Sequence, residues 1–141
     1  MPEEPRDLDV DEERHHLYKE LTEVESSPFY DRTMKDVFVF AAAYGFYYHA
    51  REKLKKKKGT IPLSAFSNED RWLLMSIAIA DQKSIDVLFD IRQVFEIGQE
   101  YANGGITILR NAIISGHPGD PHKVMESELR TILSPTSSKT P

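Results

Sequence analysis

From Ile85 to Ile114 the chain repeats apolar residues at helical spacing, and Tyr101-Ala102-Asn103-Gly104-Gly105 interrupts that repeat near its middle. Paired glycines weaken a helix by roughly 1 kcal/mol each relative to alanine, so inside such a pattern they call for close backbone contact, a cap or a kink. Two readings stay open. In one, Asn103 or Gly104 takes a left-handed cap and a further helix starts at Ile106, folding the chain into a hairpin. In the other, Gly98, Ala102, Gly105 and Ala112 line one stripe of a continuous helix and let a neighbouring helix approach closely. The regular spacing of these small residues favours the second.

A chain of 141 residues is about one domain, long enough to bury a real core. Cysteine is absent, which excludes a disulfide framework and a thiolate metal site and fits a reducing compartment. The beginning, Met1-Pro2-Glu3-Glu4-Pro5, is acidic where a signal peptide is basic, and the apolar run Val37 to Tyr48 is too short to span a bilayer. The expectation is a cytoplasmic protein that enters no membrane.

Charge is unevenly placed. Residues 1–30 carry ten acids and three bases, residues 31–58 three acids and eight bases, and residues 59–141 ten acids and seven bases. An acidic leader thus precedes a basic segment, densest at Arg51-Glu52-Lys53-Leu54-Lys55-Lys56-Lys57-Lys58. One reading is a solvated helix end and loop, since cations complement a helix C-terminus. The other is a patch for phosphates or an acidic partner, in which Arg51, Lys53, Lys55, Lys56, Lys57 and Lys58 make the contacts.

Periodicity predicts helices joined by short loops. The first runs from about Asp11 to Val24, with Leu17, Leu21 and Val24 on one stripe, and Ser26-Ser27-Pro28 ends it. The second starts after Asp31 as N-cap and runs through Met34, Val37, Phe38, Phe40, Ala41, Tyr44 and Tyr48 into the lysines. It is apolar over most of its circumference, as a central helix must be. Gly59 then ends that helix or its loop, and Thr60-Ile61-Pro62-Leu63 is the single extended stretch, because the residue before a proline disfavours the helical region. Ser67-Asn68-Glu69-Asp70 is a capping-box start for a third helix to Asp81, its buried face expected from Trp72, Leu73, Met75, Ser76 and Ile79. A fourth begins near Ser84. Ser115 to Pro121 is a break, Val124, Met125, Leu129 and Ile132 mark a short amphipathic helix, and Ser134 to Pro141 is expected to be disordered.

Catalytic constellations are weak. The histidines are His15, His16, His49, His117 and His122, and none stands in a helical pair with a placed carboxylate of the zinc-hydrolase kind. Gly104-Gly105 lacks the lysine and preceding strand of a phosphate-binding loop. Ser76 and Ser84 have no credible base, and Asp81, Asp86 and Asp90 read as solvated acids. No catalytic, cofactor or metal residue is expected. The aromatic run Phe38, Phe40, Tyr44, Phe46, Tyr47 and Tyr48 has the chemistry to stack bases, but a buried helix explains it more economically.

The stretch Phe95-Glu96-Ile97-Gly98-Gln99-Glu100-Tyr101-Ala102-Asn103-Gly104-Gly105-Ile106-Thr107-Ile108-Leu109 resembles the Glu-Tyr-Ala-Asn-Gly-Gly segment of a family of small proteins associated with dnd DNA-phosphorothioation islands. Val39 to Phe46, followed by basic residues and Pro62-Leu63, is similar to that family's other block. The resemblance covers about Met34 to Leu109 and implies a prokaryotic defence component, encoded beside enzymes that place sulfur in the DNA backbone or restrict unmodified DNA. It carries no catalytic residues across, and Gly98, Ala102, Asn103, Gly104 and Gly105 are assigned packing and capping alone.

The expectation is therefore an all-α bundle of about four to six helices: an acidic leader and peripheral helix over 1–30, a helical domain over 31–133 and a tail over 134–141. Its function is that of a non-enzymatic accessory or regulatory component working through a protein partner from the same defence system, with self-association through the apolar helix Val37 to Tyr48 as one form of it. A DNA-binding module using Arg51 to Lys58 is the alternative.

Overall fold

The computed structural model describes residues 4–115, which run through strand β1 (Asp7–Asp11), helix α1 (His15–Glu23), helix α2 (Met34–Tyr47), strand β2 (Lys57–Pro62), helix α3 (Asn68–Gln82) and helix α4 (Ile91–Arg110). Short 3-10 turns occupy Glu12–Arg14, Leu63–Ala65 and Ile85–Phe89, and a π turn follows α4 over Asn111–Ser115. The bundle is mainly helical but not all-α. The expected extended stretch has a partner that periodicity did not reveal: β1 pairs antiparallel with β2, Leu8 opposite Ile61 and Val10 opposite Lys58, with a bulge between Leu8 and Asp9. The apolar residues Leu8 and Val10, spaced by two, point into the core with 0% and 2% exposure, while Asp7 and Asp9 are half-buried and Asp11 is itself buried. The helix expected from Asp11 therefore begins only at His15, after Asp11 has capped the 3-10 turn by accepting from the Glu13 amide.

Helix α2 starts at Thr33 rather than Asp31. Thr33 and Asp36 form a reciprocal capping box, whereas Asp31 sits at φ 62° in the preceding turn. The helix stops at Tyr47 and never reaches the lysines; Ala50 donates back to the Gly45 carbonyl, and His49 adopts φ 56°. Its apolar circumference is accounted for by burial: α1, α3 and α4 all pack on it, and Val37, Phe38, Ala41, Ala42, Tyr44 and Gly45 are buried.

Ser67 and Asp70 make the anticipated capping box at the start of α3, and Lys83 ends it in the left-handed region at φ 57°. Its fully buried residues are Leu74, Ile77 and Ala78; of the expected stripe Leu73, Met75 and Ile79 are half-buried against the core, while Ser76 is exposed and Trp72 stands 61% exposed. Both sets satisfy helical spacing, and the stripe that meets Gly98 of α4 is the one buried. The fourth helix is split from its expected start. Ser84 caps the 3-10 turn through the Asp86 amide, Asp90 caps α4 through the Gln93 amide, and Ile85 and Phe89 between them are 64% and 83% exposed.

Helix α4 then runs unbroken through Asn103-Gly104-Gly105, against α2, α3, α1 and β1, with a nearly continuous buried face from Phe95 to Ile106. It is the axis of the core: its own Phe95, Ile97 and Ile106 and the surrounding Tyr18, Phe38 and Tyr44 are among the largest fully buried side chains. The break, amphipathic helix and tail expected beyond Ser115 lie outside the described residues.

Candidate functional site

The glycines let backbone meet backbone. A β-carbon on Gly105 would stand 1.9 Å from the Ala41 carbonyl oxygen, one on Gly45 2.0 Å from the Tyr101 oxygen, and one on Gly104 1.4 Å from the Ala50 oxygen. No side chain fits there. Helices α2 and α4 therefore cross at the closest approach the main chain permits, and the loop leaving α2 lies flat on α4. Gly98 plays a milder part: its β-carbon would meet the Leu74 side chain at 3.0 Å. Ala102 is fully buried on the same helix.

Between the glycines stand residues that tie down that loop. Asn103, 2% exposed, donates from Nδ2 to the Glu52 and Lys53 carbonyls, both at 3.2 Å, and its own carbonyl accepts from Arg14 at 2.7 Å. Arg14 also pairs with the Glu52 carboxylate, and the Glu52 amide donates to the Glu100 carbonyl at 3.0 Å. Glu100 and Asp81 receive Arg51 from two sides: Nε to Glu100 at 2.7 Å and a terminal nitrogen to Asp81 at 2.6 Å. The Tyr101 hydroxyl donates to the other Asp81 oxygen, and the Arg51 guanidinium lies 5.9 Å from the Tyr101 ring centre.

The electrostatics follow from this closure. Burial acts upward on the Asp81 carboxyl, but hydrogen bonds from Tyr101 and Gln82 and the Arg51 charge outweigh it and hold it below the usual aspartate range. Burial, reinforced by the Asp81 charge, pushes the Tyr101 hydroxyl up to about 12, so it stays a donor at neutral pH. Burial acts downward on Arg51, yet its two carboxylate partners raise it. What the arrangement does is fasten the loop that follows α2 to α3 and α4 at one point.

The residues read as a contact patch divide. Arg51 is consumed by this network, while Lys53, Lys55, Lys56, Lys57 and Lys58 are exposed. They do not form the helix end considered above. The Lys55 amide donates to the Asp11 carboxylate at 2.8 Å, the Lys56 carbonyl accepts from Glu12 at 2.9 Å, and Lys57 and Lys58 belong to β2 opposite Asp11 and Val10. The acidic leader thus runs alongside the basic segment as its strand partner. Lys58 faces α1: burial lowers the His15 pKa, and the charges of Lys58, Lys19 and His16 lower it further.

Two hollows open on the surface. An apolar groove of about 530 Å³ between α2 and α3 is lined by Ala43, Phe46, Tyr47, His49, Leu73, Ser76 and Ile77. Leu73 and Ser76, which periodicity places on the buried face of α3, line this groove instead. A polar cleft of about 570 Å³ lies between β1, β2 and the first turns of α4. Its residues Asp7, Asp9 and Gln99 escaped sequence reading, since only the pairing of β1 brings them beside α4. Of the three aspartates weighed as an acid cluster, Asp81 is ion-paired, while Asp86 lies in the first turn of a 3-10 segment and Asp90 caps α4.

Among the described residues no helix is long and apolar enough to cross a membrane, and no group of three or more histidine, aspartate or glutamate side chains is arranged to hold a metal ion. No curated protein and no solved structure matches the chain. A family model does match, over residues 8–136, which include all of β1 but Asp7 and every helix described above. The chain belongs to the family of DNA sulphur modification system-associated protein 4.

Proposed function

We propose that the chain is a non-enzymatic accessory component of a prokaryotic DNA sulphur modification and phage-defence system, working in the cytoplasm through contact with a protein of that system. The observation that carries this reading is the apolar face between α2 and α3. Phe46, Tyr47, Leu73 and Ile77 wall its groove, and Trp72, at the adjacent position of α3, is 61% exposed. Exposed aromatic and aliphatic surface beside a groove is what anchors a protein partner. The family block supports the same reading, because Glu100 Oε1, the Tyr101 hydroxyl and the Asn103 amide nitrogen are spent on Arg51, Asp81 and the 52–53 carbonyls within the chain.

The test is capture from the native cells with the full chain and with Trp72→Glu. The expected result is a protein encoded beside the modification enzymes, retained by the wild type and lost by the variant at unchanged melting temperature. Equal capture by both would overturn the reading. A second copy of this chain is the other occupant of such a face, and light scattering separates it from a different protein.

DNA contact is the second reading. It is favoured by the exposure of Lys53, Lys55, Lys56, Lys57 and Lys58 and by the charges of Lys58 and of Lys19 on α1 both acting at His15, which extends the positive surface toward α1. It is opposed by β1, whose Asp9 and Asp11 lie along β2. Lysines on an open sheet edge also have a simpler role, since they discourage edge-to-edge pairing.

A further inference from the structure

We propose that the polar cleft between β1, β2 and α4 binds an arginine or lysine side chain of a basic protein segment. This surface is separate from the apolar groove, and the proposal does not depend on the reading above.

Two of the residues lining the cleft, Asp7 and Asp9, stand beside Gly59. Opposite Asp9 in the sheet, Gly59 has no side chain, and the point where its β-carbon would be lies 3.6 Å from Asp7 Oδ2 and 3.6 Å from Asp9 Oδ1. Two carboxylate oxygens on the same face of β1 therefore flank one space. Asp90 and Glu96 add two further acids to the lining, against the cations Lys57 and Arg92. Lys57 is already committed to Glu96 at 3.7 Å, so negative charge is in excess. Burial raises the Asp9 carboxyl, Lys57 lowers it only in part, and Asp7 raises it again; a cation between Asp7 and Asp9 removes that strain.

Gln99 says which cation. It lines the cleft and is only 7% exposed. Its Oε1 accepts from the Asp9 amide at 2.8 Å, while among the described residues its Nε2 has no partner. An amide nitrogen that opens onto a cleft from an otherwise buried side chain can take an acceptor oxygen from a ligand seated there. The ligand must then present a cation to the aspartates and a carbonyl to Gln99 together. A metal ion does neither well here, because no three acids among the described residues converge to hold one. A polyamine has no acceptor. An arginine or lysine residue within a peptide has both, the side chain supplying the charge and the main chain the carbonyl.

The experiment titrates the isotopically labelled full chain with a short blocked peptide of alanine and arginine, and in parallel with its glutamine-for-arginine counterpart and with spermidine. Nuclear magnetic resonance reports the Gln99 side-chain amide and the Gly59 backbone amide. The expected result is saturable shifts of both signals by the arginine peptide with Kd below about 1 mM at low salt, and much weaker response to the other two. Asp7→Asn is expected to weaken binding at least about tenfold. Gly59→Ala, whose methyl meets its neighbours at 3.5–3.6 Å and so leaves the strand intact, is expected to narrow the space and weaken binding as well. Unmoved Gln99 signals, equal binding of spermidine, or full binding by a folded Gly59→Ala variant would each overturn the proposal. Trp72→Glu leaves this binding unchanged, which separates it from the partner contact.

Discussion

The Ala41 carbonyl oxygen occupies the space a Gly105 side chain would need, 1.9 Å from the β-carbon position. The obstacle is backbone of a neighbouring helix, which cannot rotate away. Gly105→Ala is accordingly expected to lower stability by about 3 kcal/mol, the upper part of the overpacking range, with Gly105→Leu worse. Gly59→Ala is expected to stay within about 1 kcal/mol of the wild type. Thermal unfolding followed by circular dichroism measures both, and a neutral Gly105→Ala would mean that α2 and α4 are not in this contact.

Asn103 holds the 49–56 loop by two carbonyls. Asn103→Ala leaves both without that donor in a half-buried place, a loss of about 1–3 kcal/mol. Amide hydrogen exchange gives the sharper readout. Exchange of the Glu52 amide, which donates to the Glu100 carbonyl, is expected to accelerate far more than exchange within α3.

The Arg51–Asp81–Tyr101 cluster sets a pH signature at both ends. Asp81 is held below the ordinary aspartate value of 3.8, so its contribution is present above that value and is lost as pH falls through the depressed one. Asp36 and Asp70 act in the same direction; burial opposes them, but Lys35 and the capping hydroxyls prevail. Acid unfolding curves of Asp81→Asn are expected to be flatter than those of the wild type. Tyr101 is raised from 10.0 to about 12, so stability falls as pH rises through that interval. Tyr101→Phe is expected to lose about 1 kcal/mol at neutral pH and to abolish the alkaline fall. An unchanged alkaline limb would remove Tyr101 as its source.

Trp72 is exposed on α3 and makes no packing demand on the core. Trp72→Glu is expected to leave the unfolding free energy within about 0.5 kcal/mol of the wild type. A larger loss would place the ring in the core and undermine its use as a probe of partner contact.

For the basic segment, the protein-contact reading expects duplex DNA to bind no more tightly than about 10⁻⁴ M at physiological salt, the weak end of non-specific association. Changing Lys55 to Lys58 to alanine then alters little. Tight binding that fades steeply with salt and vanishes in the lysine variant would instead establish the DNA reading. A chain shortened at its acidic end is unsuitable for this test, since Leu8 and Val10 are core residues.

What the sequence determined by itself was local. Ser67-Asn68-Glu69-Asp70 specified its capping box because every partner lies within one turn. The small-residue spacing at Gly98, Ala102 and Gly105 anticipated a continuous α4, because helical period is a property of the segment alone. The apolar circumference of α2 announced a central helix. Tertiary structure decided the rest. That Leu74, Ile77 and Ala78 became fully buried while Met75 and Ile79 stayed half-buried and Trp72 exposed depended on where α4 lay, since both stripes repeat at the same period. Leu8 and Val10 became a strand only because β2, some fifty residues later, offered its edge. The same pairing set the acidic leader beside the lysines and brought Asp7 and Asp9 to Gln99. Arg51, Asp81 and Tyr101 meet for a similar reason: their partners come from three separate elements, and a charge in the sequence carries no mark of which distant charge will neutralise it.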